Sequence, residues 1–403
     1  MTIFSRIKKN HITIVYIAMI CCNVVVEQYS ATVLVALDVL FMAFLFFRGV
    51  LTQRGAAAVK GKRILEMLLL LLMLFILVSF AVNLNGNFLR QGGFTLFHLG
   101  SIGLLLYYLI FEDAFDAHSK GHILSAVLYS NVAMACLVLL FSGVAGDINR
   151  AYGYVWPGVQ VNANAVAYPF TLALLAGTYK LVTDKSLRAA GNDIVCLGVL
   201  ALMMGIFKTR GALLGLVLGM ALLIVGFFIN GDAKLRRRSF ILIGAWVLLF
   251  AGAAAIFFYR SAASGISLFS SNGRYALWGI AVDYFKAHPL FGAGSAILYD
   301  GNFSSHNLVF DFFSQYGTVP GILVIFVCIR LLFKVKGWAA FAFLFAGFIQ
   351  AGLDAYMLNY IFMAFALALV MRPAAARRPA PLFIANAPLI MYNTQYGGRG
   401  GQD

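Results

Sequence analysis

The chain has 403 residues, of which 62% are hydrophobic and only 11% charged, with a formal net charge of +15. A soluble domain carries about 25% charged residues, so this composition excludes an ordinary soluble enzyme; repeated apolar runs of roughly 18 or more residues point instead to membrane-spanning helices. The positive charge does not imply nucleic acid, because the cations lie in short clusters between apolar runs, as they do in cytoplasmic loops.

In chain order, window hydropathy predicts spans over 12–26, 31–47, 64–82, 94–111, 122–142, 163–182, 194–207, 211–229, 240–258, 319–333, 338–353 and 356–371, about twelve in all. Lys8 and Lys9 precede the first run, but Glu27-Gln28-Tyr29 follows it where a cleavable leader would carry small residues, so a first span is expected there. Basic clusters at Arg6–Lys9, Arg48–Arg63, Lys185–Arg188, Lys234–Arg238, Lys334–Lys336 and Arg372–Arg378 fall on one side, which puts both termini in the cytoplasm. The loop Glu112–His122 is mostly acidic and contributes little to that rule. The same alternation puts Gly143–Asn162, the tip Lys208-Thr209-Arg210 and the long interruption Arg260–Pro320 outside, in the periplasm of a Gram-negative cell. The expected fold class is therefore an all-α integral membrane protein. Residues 1–258 form helices one to nine, 259–320 a periplasmic catalytic loop, and 319–371 helices ten to twelve; 372–403 form a cytoplasmic tail expected to be disordered. The five Cys (Cys21, Cys22, Cys136, Cys196, Cys328) all lie within apolar runs and read as small buried hydrophobes.

At the tip Lys208-Thr209-Arg210 two apolar runs meet, and Gly211, Gly215 and Gly219 follow at four-residue spacing. Such a glycine face lets helices approach closely. The two cations can simply snorkel at a helix end. Their place on the outer side, where basic residues are disfavoured, suggests an anionic ligand.

The loop Arg260–Pro320 predicts two short amphipathic helices around the turn-rich run His288–Gly294. Tyr275, Trp278, Val282 and Phe285 repeat at helical spacing, as do Val309, Phe310, Phe313 and Gly317. Arg274 begins the first helix, with Ser270, Ser271 or Asn272 as N-cap. Alone it reads as a surface cation; with Arg210 it suggests two bidentate phosphate binders able to hold a diphosphate. Ser304 or Ser305 is expected to cap the second helix, placing His306 in its first turn, where the helix dipole favours a neutral imidazole suited to general-base work. The plainer reading is a structural loop histidine. Glu27, Asp283, Asp300 and Asp311 could orient the ring, and nothing in the sequence selects among them. There is no metal-ligand spacing of His, Cys and Asp, no outer acidic pair for a divalent cation, no phosphate-binding loop for ATP and no nucleophile elbow.

Thr209-Arg210-Gly211, Arg274-Tyr275-Ala276-Leu277-Trp278, His288-Pro289 with Gly292-Ala293-Gly294, Ser305-His306-Asn307 and Gln315-Tyr316-Gly317 follow one another in order. With Asn162-Ala163-Asn164-Ala165 upstream, this series resembles the O-antigen ligase/polymerase superfamily. Chain length, span number and the single loop most resemble its lipopolysaccharide ligases. The resemblance implies a bacterial inner-membrane glycosyltransferase facing the periplasm, with a donor O-antigen carried on undecaprenyl diphosphate and a lipid A-core acceptor. It also implies membrane lipid as surroundings and no cofactor, ATP or nucleic acid. It implies His306, Arg210 and Arg274 as catalytic and Lys208, Asn164, Arg260 and Gln315 as substrate-binding. His306 would deprotonate the acceptor hydroxyl in a direct, inverting displacement, while arginines neutralise the leaving diphosphate without a metal. An O-antigen polymerase, or a ligase acting on protein, shares these motifs. A transporter would place its ionisable groups nearer the bilayer midplane.

Overall fold

The computed structural model describes residues 63–83, 117–145, 152–156, 159–183, 187–207, 209–231, 273–294, 305–335, 337–353 and 358–371, with single positions elsewhere. The expected spans 12–26 and 94–111, all of 31–47 but Leu40, most of 240–258, and the tail after 371 lie outside them.

Among the described residues the chain forms α1 (Arg63–Val82), α2 (Ala117–Ala145), a hairpin of β1 (Tyr152–Trp156) and β2 (Val159–Asn162), α3 (Ala163–Thr183), α4 (Leu187–Phe207), α5 (Arg210–Asn230), α6 (Arg274–Ala287), α7 (Leu308–Tyr316), α8 (Thr318–Lys334), α9 (Trp338–Leu353) and α10 (Leu358–Met371). Segments Lys120–Ser142, Ala190–Phe207 and Arg210–Asn230 are long and apolar enough to cross a membrane, and shorter apolar helices lie at Leu70–Val82, Thr318–Phe333 and Trp338–Leu353. The architecture is that of a helical membrane protein.

The described residues are overwhelmingly helical, as expected, with one short antiparallel hairpin in addition. Tyr152 pairs with Asn162, Gly153 with Val161, Tyr154 with Gln160 and Trp156 with Val159, with a register irregularity between Tyr154 and Trp156. The stretch is too short and too polar to register as a span. Its aromatic and β-branched residues flank Pro157-Gly158, a turn dipeptide in sequence, and such residues favour a pleated ribbon. The hairpin packs on α2 and leads straight into α3.

Small residues set the packing. Gly177 of α3 faces Leu128 of α2 and Leu197 of α4, so these three helices close on one another. The glycine face of α5 lies antiparallel along α9. Gly211 meets Leu353, Gly215 meets Ala346 and Ile349, Gly219 meets the Ala342 carbonyl, and Gly226 meets Trp338. A side chain at Gly219 would also stand against Leu175 of α3. The close approach read from the four-residue spacing is therefore present, and it lets Phe170, Phe207 and Phe343 bury fully between the helices. The described cysteines depart from expectation, while Cys21 and Cys22 lie outside the described residues. Cys136 faces outward, Cys196 and Cys328 are half-buried, and all three are free thiols. On a membrane helix an outward apolar residue meets lipid, so apolarity alone does not place it in the core.

The antiparallel register of α5 and α9 defines two ends of the bundle. At one end the N-terminus of α5 meets the C-terminus of α9, and at the other Gly226 meets Trp338.

Candidate functional site

The loop between α6 and α8 sits on the first of these ends, held by a latch. The run Pro289–Gly294 bonds back to α7 and α8. Ala293 N–H donates to Ser314 O at 2.8 Å and Gly294 N–H to Gln315 O at 3.0 Å. Both Thr318 N–H (2.9 Å) and its hydroxyl (2.6 Å) donate to Pro289 O. The C-terminus of α1 closes the other side. Ser79 Oγ donates to Phe291 O at 2.5 Å, and Asn83 Nδ2 to Gly292 O at 3.1 Å. Two glycines make this fit possible. Gly292 (φ 69°) lies against the backbone of Gln315, and Gly317 (φ 91°) against the carbonyl of Leu290. A Cβ at either position would collide with main-chain atoms while adopting a backbone conformation that L-residues rarely take.

Both predicted loop helices are present, but their starts differ from expectation. α6 begins after Gly273, which is left-handed (φ 77°) and stands at the N-cap with no side-chain cap bond; Ser270, Ser271 and Asn272 lie outside the described residues. α7 is capped by Asn307, whose Oδ1 accepts from Val309 N–H (3.0 Å) and Phe310 N–H (3.3 Å). His306 thus precedes the cap rather than sitting in the first helical turn. The segment Ser304–Asn307 offers several residues able to cap; tertiary bonds decide among them. Asn307 Nδ2 donates to Gly352 O at the end of α9 (3.1 Å), and Ser305 N–H donates to Asp311 Oδ1 (2.6 Å).

The two faces of α7 also separate in a way the spacing did not show. Phe310 and Phe313 pack on α6, against Trp278 (centroids 5.6 Å) and Phe285 (5.3 Å). Phe312 and Tyr316 turn inward, Tyr316 meeting Phe80 of α1 edge-on. On α6 the buried positions are Leu277 and Ala281, while Tyr275 is exposed and its ring stands nearly perpendicular to that of Trp278. α7 is therefore a wedge between the loop helix and the bundle, which is why its Phe content exceeds what one amphipathic face needs.

These contacts set where the predicted site residues lie. Arg210 is the first residue of α5, half-buried, beside Gly211, whose neighbours are Leu353 of α9 and the Tyr168 hydroxyl of α3. His306, half-buried, adjoins Asn307, which bonds the next-to-last residue of α9. Both therefore belong to the α9 C-terminal end of the bundle. Arg274 lies one turn before Trp278. Trp278 pairs with Phe310 and Phe285 with Phe313, so the N-terminal part of α6 lies along the N-terminal part of α7, the end that carries His306. Asn164 is in the first turn of α3, which reaches the same end through Tyr168. The Tyr168 carbonyl accepts from Gln350 Nε2 at 3.3 Å, and Thr171 Oγ1 donates to Ala212 O at 3.1 Å. Gln315 is buried, its carbonyl part of the latch. Lys208 and Arg260 lie outside the described residues.

Of the carboxylates considered for His306, Asp311 is buried in the first turn of α7 and holds Ser305. Asp283 is solvated and paired with Lys286 at 3.3 Å. Asp300 and Glu27 lie outside the described residues. The sequence reading missed Asn307, Ser79, Asn83, Tyr168 and Gln350. Only Asn307, beside His306 before an apolar run, carried a local signal. Around this end the Thr209 hydroxyl, the Trp278 indole N–H and the Gln350 amide oxygen are buried with no hydrogen-bond partner among the described residues. Such atoms are costly unless water or a ligand completes them. Arg210 and His306, with Arg274 on the neighbouring loop helix, thus share this end of the bundle with these polar atoms.

Taken together, the helical bundle and its cation-bearing loop define a membrane protein with a polar site at one end. Residues 195–326 match the family model described as O-antigen ligase, which supports the O-antigen ligase superfamily; the matched stretch runs from α4 into α8 and contains Arg210, Arg274 and His306. No curated protein matches the chain.

Proposed function

We propose that this protein is a glycosyltransferase that moves O-antigen polysaccharide from undecaprenyl diphosphate to the lipid A-core oligosaccharide on the periplasmic face of the bacterial inner membrane. The observation that carries the reading is the gathering of Arg210 and His306 at the end of α9, with Arg274 on the loop helix packed beside α7. Diphosphate is a good leaving group. Two guanidinium groups bind its oxygens bidentately and stabilise the charge that develops as the anomeric bond breaks. His306 takes the proton from the acceptor hydroxyl as that oxygen attacks the anomeric carbon, in one displacement with inversion. Asn164, Gln315, Lys208 and Arg260 contribute to substrate binding. No step calls for a metal or for ATP.

A cell lacking the protein tests this reading against a polymerase of the same superfamily. Loss of a ligase leaves full-length polymer on the carrier lipid and bare core on the surface. Single units joined to core would instead identify a polymerase, and polymer trapped on the cytoplasmic side a transporter.

A further inference from the structure

His306 has φ 60°, the one non-glycine residue with a positive φ among those described. A non-glycine side chain keeps that conformation only where its neighbours over-determine it. Here both neighbours are pinned. On one side, Ser305 is fully buried, and its N–H donates to Asp311 Oδ1 at 2.6 Å. On the other, Asn307 caps α7 with its Oδ1 and reaches Gly352 O of α9 with its Nδ2. The Ser305 hydroxyl closes over the histidine by donating to Asn307 O at 3.3 Å. Asp311 is itself 7% exposed, and α7 is wedged between α6 and the bundle, so the acceptor does not move with the loop.

We propose that Asp311 is a positioning residue for His306: by holding Ser305 N–H it keeps the backbone at His306 left-handed and the imidazole at the site. This rests on the reading of His306 as the general base. Without the carboxylate, the Ser305 end of the clamp is released, and His306 relaxes towards an ordinary backbone conformation that redirects its Cβ. Displacing a reacting group by about 1 Å can cost on the order of 10²-fold in rate. An acidic residue in a first helical turn also stabilises the helix dipole. That role alone predicts lower stability with undiminished turnover per folded molecule.

The test uses the purified full-length protein with lipid-linked donor and lipid A-core acceptor. Transfer rate, donor affinity and thermal stability are measured for Asp311→Ala, Asp311→Asn, His306→Ala and the double variant Asp311→Ala/His306→Ala. Asp311→Ala is expected to lower kcat by about 10²-fold with donor affinity unchanged. Asp311→Asn keeps an oxygen that can accept from Ser305 N–H and should recover most of that loss. In the His306→Ala background, Asp311→Ala should add nothing, since no base remains to be positioned. If Asp311→Ala does not fold, Asp311→Ser, whose hydroxyl is too short to reach, takes its place under the same readouts. A folded Asp311→Ala or Asp311→Ser protein with wild-type kcat, or an equal loss in both backgrounds, overturns the proposal while leaving an inactive His306→Ala, and with it the base assignment, intact. An active His306→Ala removes the base assignment and the positioning role together.

Discussion

The two ends of the bundle treat charge in opposite ways. At the end away from the loop, Lys180 in the last turn of α3 is met by Asp193 of α4 at 3.0 Å, and Tyr129 of α2 stands beside both. Asp193 is fully buried, and the lysine side chain is 12% exposed. This cation is answered inside the protein. At the loop end, Arg274 begins a helix without a side-chain cap and makes no ion pair among the described residues. A cation paired with a buried carboxylate of the next helix ties helices together. On the proposed function, Arg274 is the cation that meets an anion from outside the chain. On the proposed function, one end serves as scaffold and the other carries the chemistry.

Four substitutions and one change of condition test that contrast. The largest effect is expected for His306→Ala, which should lower transfer by roughly 10²–10⁴-fold, the usual worth of positioned proton transfer, while donor binding survives. Next comes Asp193→Ala. Removing one partner of a buried pair costs about 3–5 kcal/mol, so thermal stability should fall steeply while transfer per folded molecule stays near wild type. A drop in turnover without a drop in stability would move the chemistry to that end as well. Arg210→Lys and Arg274→Lys should each lose about tenfold or more in transfer at unchanged stability, because an ammonium cannot reproduce the bidentate fork. Near wild-type rates in both would make these arginines helix-end cations only. The smallest effect is expected from EDTA, which should leave transfer unchanged; loss in chelator and recovery with magnesium would overturn the arginine-clamped mechanism.

Much of the scaffold was legible because its signals are local. The glycine spacing in α5 reads directly as helix contact, and Gly211, Gly215 and Gly219 each face a neighbouring helix. The loop helices followed from the aromatic periodicity of 275–285 and 309–313, although α7 uses two faces where the spacing suggested one. The latch was not legible. Its bonds run from Ser79 and Asn83 to Phe291 and Gly292, more than 200 residues away, and main-chain carbonyls carry no sequence signature. The cap of α7 was misassigned for a related reason. Ser304, Ser305 and Asn307 have similar capping ability, and the choice rests on a bond to Gly352 in another helix. The hairpin at 152–162 was passed over because hydropathy windows register spans and not short ribbons.

The most direct test of the account is the paired measurement of transfer and donor affinity for purified His306→Gln, with lipid-linked donor and lipid A-core acceptor and with Asp193→Ala run alongside. Glutamine keeps hydrogen bonding and loses basicity. His306→Gln is expected to bind donor as wild type does and to transfer nothing measurable, while the folded Asp193→Ala protein transfers normally. High turnover by His306→Gln would contradict it, since the residue would then only position the acceptor and the base would lie elsewhere.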